Sequence, residues 1–124
     1  MILVDSSGWI EVFTGGPLTS GFRAYLDSGA PLVVPTVVLY EVYKVVCREA
    51  SEEQAKMAAA RLRRNVVLPL DEALALEAAD LSLEHHLSMA DAIVYATARS
   101  CGATLVTSDE HFQGLPGVEY LPPG

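Results

Sequence analysis

Four carboxylates in this chain stand where a fold can use them for chemistry. Asp5 ends the apolar run Ile2-Leu3-Val4, and Asp109 comes shortly after a second such run, Thr104-Leu105-Val106. Glu41 and Asp91 interrupt long apolar helical patterns. From Val37 to Cys47 the only charged residues are Glu41 and Lys44, and from Met89 to Ala98 the only one is Asp91. A helix that apolar is mostly buried, so a carboxylate in it needs a reason. Each acid also has an ordinary reading. Asp5 suits a helix N-cap, and Ser88-Met89-Ala90-Asp91 has the form of a capping box. Asp109 suits a turn. Glu41, Lys44 and Arg48 can share one solvated stripe.

Taken together, the four acids make a stronger pattern. Two carboxylates about 4 Å apart repel by roughly 4 kcal/mol at an effective dielectric of 20. Four in one pocket must take up protons or a cation. No cysteine and histidine set accompanies them, which argues against zinc. An all-oxygen site suits Mg²⁺ or Mn²⁺. Such ions bind phosphate and acidify a bound water, so the chemistry indicated is metal-assisted phosphodiester hydrolysis.

The elements that would position these acids can be read along the chain. Strands are expected at Ile2–Val4, Leu32–Val34, Val66–Leu68 and Thr104–Val106, with a short fifth at Val118–Leu121. Helices are expected over Ser6–Phe13 and Ser20–Asp27, the second closed by Gly29. Thr36 would cap another that runs to about Ala50. Ser51 starts the next. Asp71 caps one that reaches about His85, and Ser88 opens the last, which ends at Cys101-Gly102. Alternation of strands and helices implies a parallel sheet with right-handed crossovers and helices on both faces. On such a sheet, residues just past strand ends and in the first turns of flanking helices lie along one edge, where ligands bind.

Composition sets bounds. The 124 residues fit a single domain, 1–124, and 51% are hydrophobic, enough for a buried core. No apolar run is long enough to cross a bilayer. There is no basic secretory leader, and Cys47 and Cys101 read as buried free thiols, so a reducing cytoplasmic setting is expected. Sixteen acids against eight bases give a net charge of −8, a poor footprint for a nucleic-acid binder unless metal neutralises some acids. Arg61, Arg63 and Arg64 late in a helix are explained by the helix dipole, without RNA. His85, His86 and His111 receive no role. Trp9, Phe13, Phe22 and Tyr25 offer more aromatic surface than a small core needs, and are expected to form in part a groove for an amphipathic partner segment.

Known folds that open on an apolar strand and an acid fit poorly. A haloacid-dehalogenase-like phosphatase wants a second Asp where Ser7 stands, and a phosphoacceptor receiver wants adjacent acids. A dinucleotide-binding fold wants a Gly-rich turn that Ser6-Ser7-Gly8 does not supply. The chain resembles instead the PIN-domain family, and within it the VapC-type ribonuclease toxins of toxin–antitoxin modules. The resemblance is carried by Leu3-Val4-Asp5-Ser6-Ser7, Leu39-Tyr40-Glu41-Val42, the run Met89-Ala90-Asp91-Ala92-Ile93-Val94-Tyr95-Ala96-Thr97-Ala98, and Thr104-Leu105-Val106-Thr107-Ser108-Asp109-Glu110-His111-Phe112. It implies a three-layer α/β/α sandwich with a five-stranded, mostly parallel sheet. It also implies Mg²⁺- or Mn²⁺-dependent RNA cleavage, a homodimer and a cognate antitoxin protein that blocks the site. By motif, Asp5 and Asp91 would be the principal metal ligands. Glu41 and Asp109 would complete the catalytic pocket, directly or through water, and Ser6 and Thr107 would orient ligands or a phosphate. The competing reading is a catalytically weak PIN-like module that binds protein or RNA.

Overall fold

The computed structural model describes residues 1–123. Five short strands are present: β1 (Ile2–Val4), β2 (Val33–Pro35), β3 (Val66–Leu68), β4 (Thr104–Thr107) and β5 (Val118–Tyr120). Six α-helices join them: α1 (Ser6–Thr14), α2 (Thr19–Leu26), α3 (Thr36–Glu49), α4 (Glu52–Leu62), α5 (Glu72–His85) and α6 (Met89–Cys101). A 3-10 turn, Glu110–Phe112, follows β4.

All strand pairings are parallel. One ladder runs β1-β4-β5 and a second pairs β2 with β3. A single parallel bridge, Ile2 to Leu32, links them, so the spatial order is β3-β2-β1-β4-β5. β1 and β4 are adjacent in the middle, with Leu3 opposite Leu105 and Val4 opposite Val106. Leu3, Val4, Leu105 and Val106 are all buried, as unbroken apolar runs require of central parallel strands. From β1 the chain crosses toward β2 and β3, and from β4 it crosses the other way to β5. The boundary between β1 and β4 is therefore the topological switch point, and right-handed crossovers place α5 and α6 on the face opposite α1 to α4.

The core is built on Leu3, Trp9, Phe22, Leu62, Tyr95, Leu105 and Phe112. α6 is the most enclosed helix, buried continuously from Ala92 to Ala98. Gly8 is where α1 meets this core: a Cβ there would lie 2.5 Å from Val4 Cγ1 and 2.6 Å from Phe22 Cε1, so only glycine lets α1 approach β1 so closely.

Several local expectations shift. Thr36 does not cap α3; Pro35, extended at φ −62° and ψ 145°, takes the cap position with no side-chain hydrogen bond, and Thr36 is the first helical residue. α2 ends at Leu26 with Asp27, rather than Gly29, at its C-cap, and His86, at φ 58°, closes α5 in the left-handed region. Cys47 and Cys101 are free, but half-buried rather than buried. Trp9 and Phe22 are core residues at 2% and 0% exposure, which removes them from the expected aromatic groove; Phe13 and Tyr25 remain partly exposed. Among the described residues, no helix is long and apolar enough to cross a membrane.

Candidate active site

The switch point brings the carboxylates to one edge. Asp5 follows β1 directly and is 5% exposed. It is the N-cap of α1, accepting from Gly8 N–H at 3.3 Å through Oδ1. Ser7 Oγ donates to the same oxygen at 2.6 Å, and Thr107 Oγ1 donates to Oδ2 at 2.6 Å. Thr107, the last residue of β4, also accepts from Asp109 N–H at 2.9 Å. One hydroxyl thus ties the end of β1 to the backbone that presents Asp109. Ser108 Oγ lies 3.3 Å from Ser7 Oγ and adds a second tie between the same two loops.

Burial pushes the Asp5 carboxyl up to about 6, against the hydrogen bonds of Ser7, Thr107 and Gly8, with the Asp109 charge adding to the rise. Burial also raises Glu41, in the second turn of α3. A hydrogen bond from Ser6 opposes that rise, the charges of Asp91 and Asp109 add to it, and Lys44 offsets part of it. Burial, and then the Asp109 charge, raise Asp91, against a hydrogen bond with Ser88 and the nearby His111. Asp109 is the shared neighbour, acting on each of the other three acids. Mutual repulsion among desolvated carboxylates is the condition that a bound cation relieves.

The tightest group of donor atoms is Asp91, Asp109 and His111, all within 4.8 Å of one another. His111 Nδ1 is 2.8 Å from Asp109 Oδ1 and 3.9 Å from Asp91 Oδ2. Asp5, its oxygens already engaged by Ser7, Gly8 and Thr107, lies outside that group. The donor group is two carboxylates and one imidazole, with Glu41 and Asp5 outside it, which fits Mg²⁺ and fits Mn²⁺ better once a nitrogen is counted.

Of the residues singled out in the sequence, Asp91 and Asp109 lie within ligating distance of each other, and Asp5 and Glu41 are near enough to feel the Asp109 charge, with Thr107 against Asp5 and Ser6 against Glu41. Three neighbours were not anticipated. Ser7 and Ser108 are small polar residues in strand-end loops, and their spacing from the acids carries no distinctive signal. His111 stood two residues after a candidate ligand, where the 3-10 turn folds its ring back over Asp109. That adjacency was the available clue.

A model of the PIN domain matches residues 2–118. The chain belongs to the PIN domain family. Comparison with curated protein sequences returned no match. Among solved structures, this PIN chain is similar to a toxin–antitoxin complex from Klebsiella pneumoniae, with TM-score 0.81, 25% identity, and 96% of each chain covered. It shares its fold with Mycobacterium tuberculosis VapC20, described as a sarcin–ricin loop cleaving toxin, at TM-score 0.78 and 22% identity over 94% of this chain and 95% of that one. It shares it also with VapBC2 of Rickettsia felis bound to a promoter DNA fragment, at TM-score 0.75 and 16% identity over 98% and 99%. The structural neighbours of this PIN domain thus include VapC toxins of VapBC modules, and the mixed α/β fold expected from the resemblance is observed, with the five expected strands paired as a three-stranded and a two-stranded ladder joined by one bridge.

Proposed function

We propose that this PIN protein is a divalent-metal-dependent endoribonuclease and the toxin of a toxin–antitoxin pair. The observation that carries the reading is the Asp109 charge acting on Asp5, Glu41 and Asp91 at the sheet's switch point, in a chain whose structural neighbours include a toxin described as cleaving the sarcin–ricin loop. Asp91 and Asp109, with Asp5 and Glu41 directly or through water, would hold Mg²⁺ or Mn²⁺. The ion, when bound, neutralises charge on a phosphate and lowers the pKa of a water. The protein's own part is positional. Thr107 and Ser7 fix the Asp5 carboxylate in one orientation, and Thr107 at the same time fixes the loop that carries Asp109. Glu41, half-buried beside Asp91 and Asp109, is placed to take a proton from the attacking water.

The antitoxin partner follows from neighbours solved as toxin–antitoxin complexes. A groove of about 450 Å³ at Phe13, Val46, Met57, Ala58 and Arg61 is a fitting seat for an amphipathic segment. The homodimer is supported by exposed Leu70, Leu76, Leu83 and Met89, all on or beside α5 and the start of α6.

Cleavage of labelled RNA by the purified protein tests the enzymatic reading. Cleavage in Mg²⁺ or Mn²⁺ that disappears in EDTA and in Asp5→Asn is the expected result. Equal cleavage with and without EDTA, or by Asp5→Asn at the wild-type rate, would overturn it. RNA binding without cleavage in any metal would leave the non-catalytic module instead.

A further inference from the structure

The bases of this chain are not spread evenly. Residues 36–64, which span α3 and α4, hold six of the eight bases, Lys44, Arg48, Lys56, Arg61, Arg63 and Arg64, against four acids. The rest of the chain has two bases against twelve acids. The helical hairpin is therefore net positive on a molecule of net charge −8, and it is the hairpin that carries Glu41.

Between α3 and α4 lies a groove of about 440 Å³ lined by Thr36, Leu39, Tyr40, Tyr43, Lys44 and Arg63, with Ala59 at its floor. One of its lining residues, Thr36, is the first after β2 and so stands at the edge where the strands end. Tyr40 immediately precedes Glu41 and is 61% exposed, an unusual position for a large aromatic ring. Lys44 Nζ stands 5.6 Å from the Tyr40 ring centroid, and its charge also reaches Glu41. The three arginines at the end of α4 diverge. Arg61 lies over the Phe13 ring at 5.9 Å on another face, and Arg64 borders Pro31 and Leu32 at the opposite end of the sheet. Arg63 alone enters this groove.

We propose that this groove is a subsite for single-stranded RNA, in which a base stacks on Tyr40 while Lys44 and Arg63 hold the flanking phosphates and lead the strand to the carboxylates beside Glu41. The proposal rests on the ribonuclease reading for the identity of the strand's destination. An exposed aromatic ring flanked by cations is the arrangement that binds single strands with little sequence preference, since every base has a face to stack. Charge complementarity selects the occupant: a polyanion is repelled by the rest of this surface and attracted here.

The test is fluorescence anisotropy with a labelled oligouridine in EDTA, so that binding is read without cleavage, for wild type, Tyr40→Ala, Tyr40→Trp, Arg63→Ala and Arg23→Ala. All three positions are exposed, and circular dichroism checks the fold of each variant. Tyr40→Ala is expected to weaken binding about tenfold and Tyr40→Trp to retain it. Arg63→Ala should weaken binding and reduce the slope of log affinity against log salt by about 0.7, while Arg23→Ala, on α2, changes neither. Wild-type affinity in Tyr40→Ala, or equal losses in Arg63→Ala and Arg23→Ala, overturns the subsite. So does an acidic peptide that binds at Tyr40 when the oligouridine does not, since the groove would then be a protein site. The two readings fail separately. Tyr40-dependent binding without cleavage in Mg²⁺ would keep the subsite and sink the ribonuclease, whereas cleavage unaffected by Tyr40→Ala would do the reverse.

Discussion

Asp5→Asn should make the metal-free protein more stable at neutral pH, although it removes a residue with three hydrogen bonds. The Asp5 carboxyl is buried and titrates at about 6 in the folded protein instead of 3.8. The folded state therefore holds its proton where the unfolded chain has already lost it. Stability from this group is fully present below pH 3.8 and falls as the pH rises toward 6, with nothing further lost above that. A rise of about two units at 1.36 kcal/mol per unit corresponds to about 3 kcal/mol. Asparagine keeps the shape and carries no charge. Its Oδ1 can still accept from Ser7 and Gly8, and its amide can donate to Thr107 Oγ1. In EDTA, urea melts between pH 3 and 8 should show wild-type stability falling by about 3 kcal/mol more than the variant's over that range. At pH 7.5 this corresponds to roughly 10 °C in melting temperature for a domain of this size. Glu41 and Asp91 slope the same way, but in both proteins, so the difference isolates Asp5. Parallel pH profiles for the two proteins would refute the reasoning, because they would mean that Asp5 is solvated in the folded state.

Asp91→Asn should leave the metal-free protein at least as stable as wild type, because Asp109 no longer faces a second charge, and should blunt the thermal shift produced by Mg²⁺. At ten times the dissociation constant that shift represents roughly 1.4 kcal/mol in wild type, and equal shifts in both proteins would confine Asp91 to helix capping. Thr107→Val should lower stability by about 2 kcal/mol at pH 7.5, since it strands Asp5 Oδ2 and Asp109 N–H together, whereas Thr107→Ser should restore it. Urea denaturation of the three proteins decides, and an unchanged midpoint for the valine variant would show that the hydroxyl bridge carries little. His111→Ala should narrow the preference for Mn²⁺ over Mg²⁺ measured by calorimetry, because it removes the one nitrogen from the donor group; an unchanged preference would leave the imidazole as a neighbour only.

The strand ends were legible because Ile2-Leu3-Val4 and Thr104-Leu105-Val106 have no polar alternation, and such runs must sit in the middle of a parallel sheet. Their order in the sheet then determines which loops meet. The choice between capping acid and functional acid was posed too sharply. Ser88 does cap α6 through Asp91 N–H at 3.3 Å, yet the Asp91 carboxylate still lies within ligating distance of Asp109 and His111. Asp5 likewise caps α1 with one oxygen and meets Thr107 with the other. What could not be read was anything dependent on a turn's curl or on a sum over the chain. His111 needed the 3-10 turn to come back over Asp109. The net charge of −8 concealed a positive hairpin, and only the pairing of α3 with α4 shows which of three successive arginine candidates shares a groove with Tyr40. Trp9 and Phe22 looked like surplus aromatic surface because composition does not reveal that β1 is so narrow a platform that α1 and α2 must cover it with rings.

The Thr107 to Asp5 hydrogen bond joins residues 102 apart in sequence. β1 leaves the ribosome well before its central neighbour β4. Until then one edge of β1 lacks its ladder, and the loop bearing Asp109 does not exist. A nascent chain that already contains Asp5, Glu41 and Asp91 thus has three of its acids and no platform on which they converge. For a chain proposed to attack RNA, the order of synthesis acts as a safety catch: the strand that brings its acids to one edge is made after three of them, so the growing chain carries those acids before it can use them.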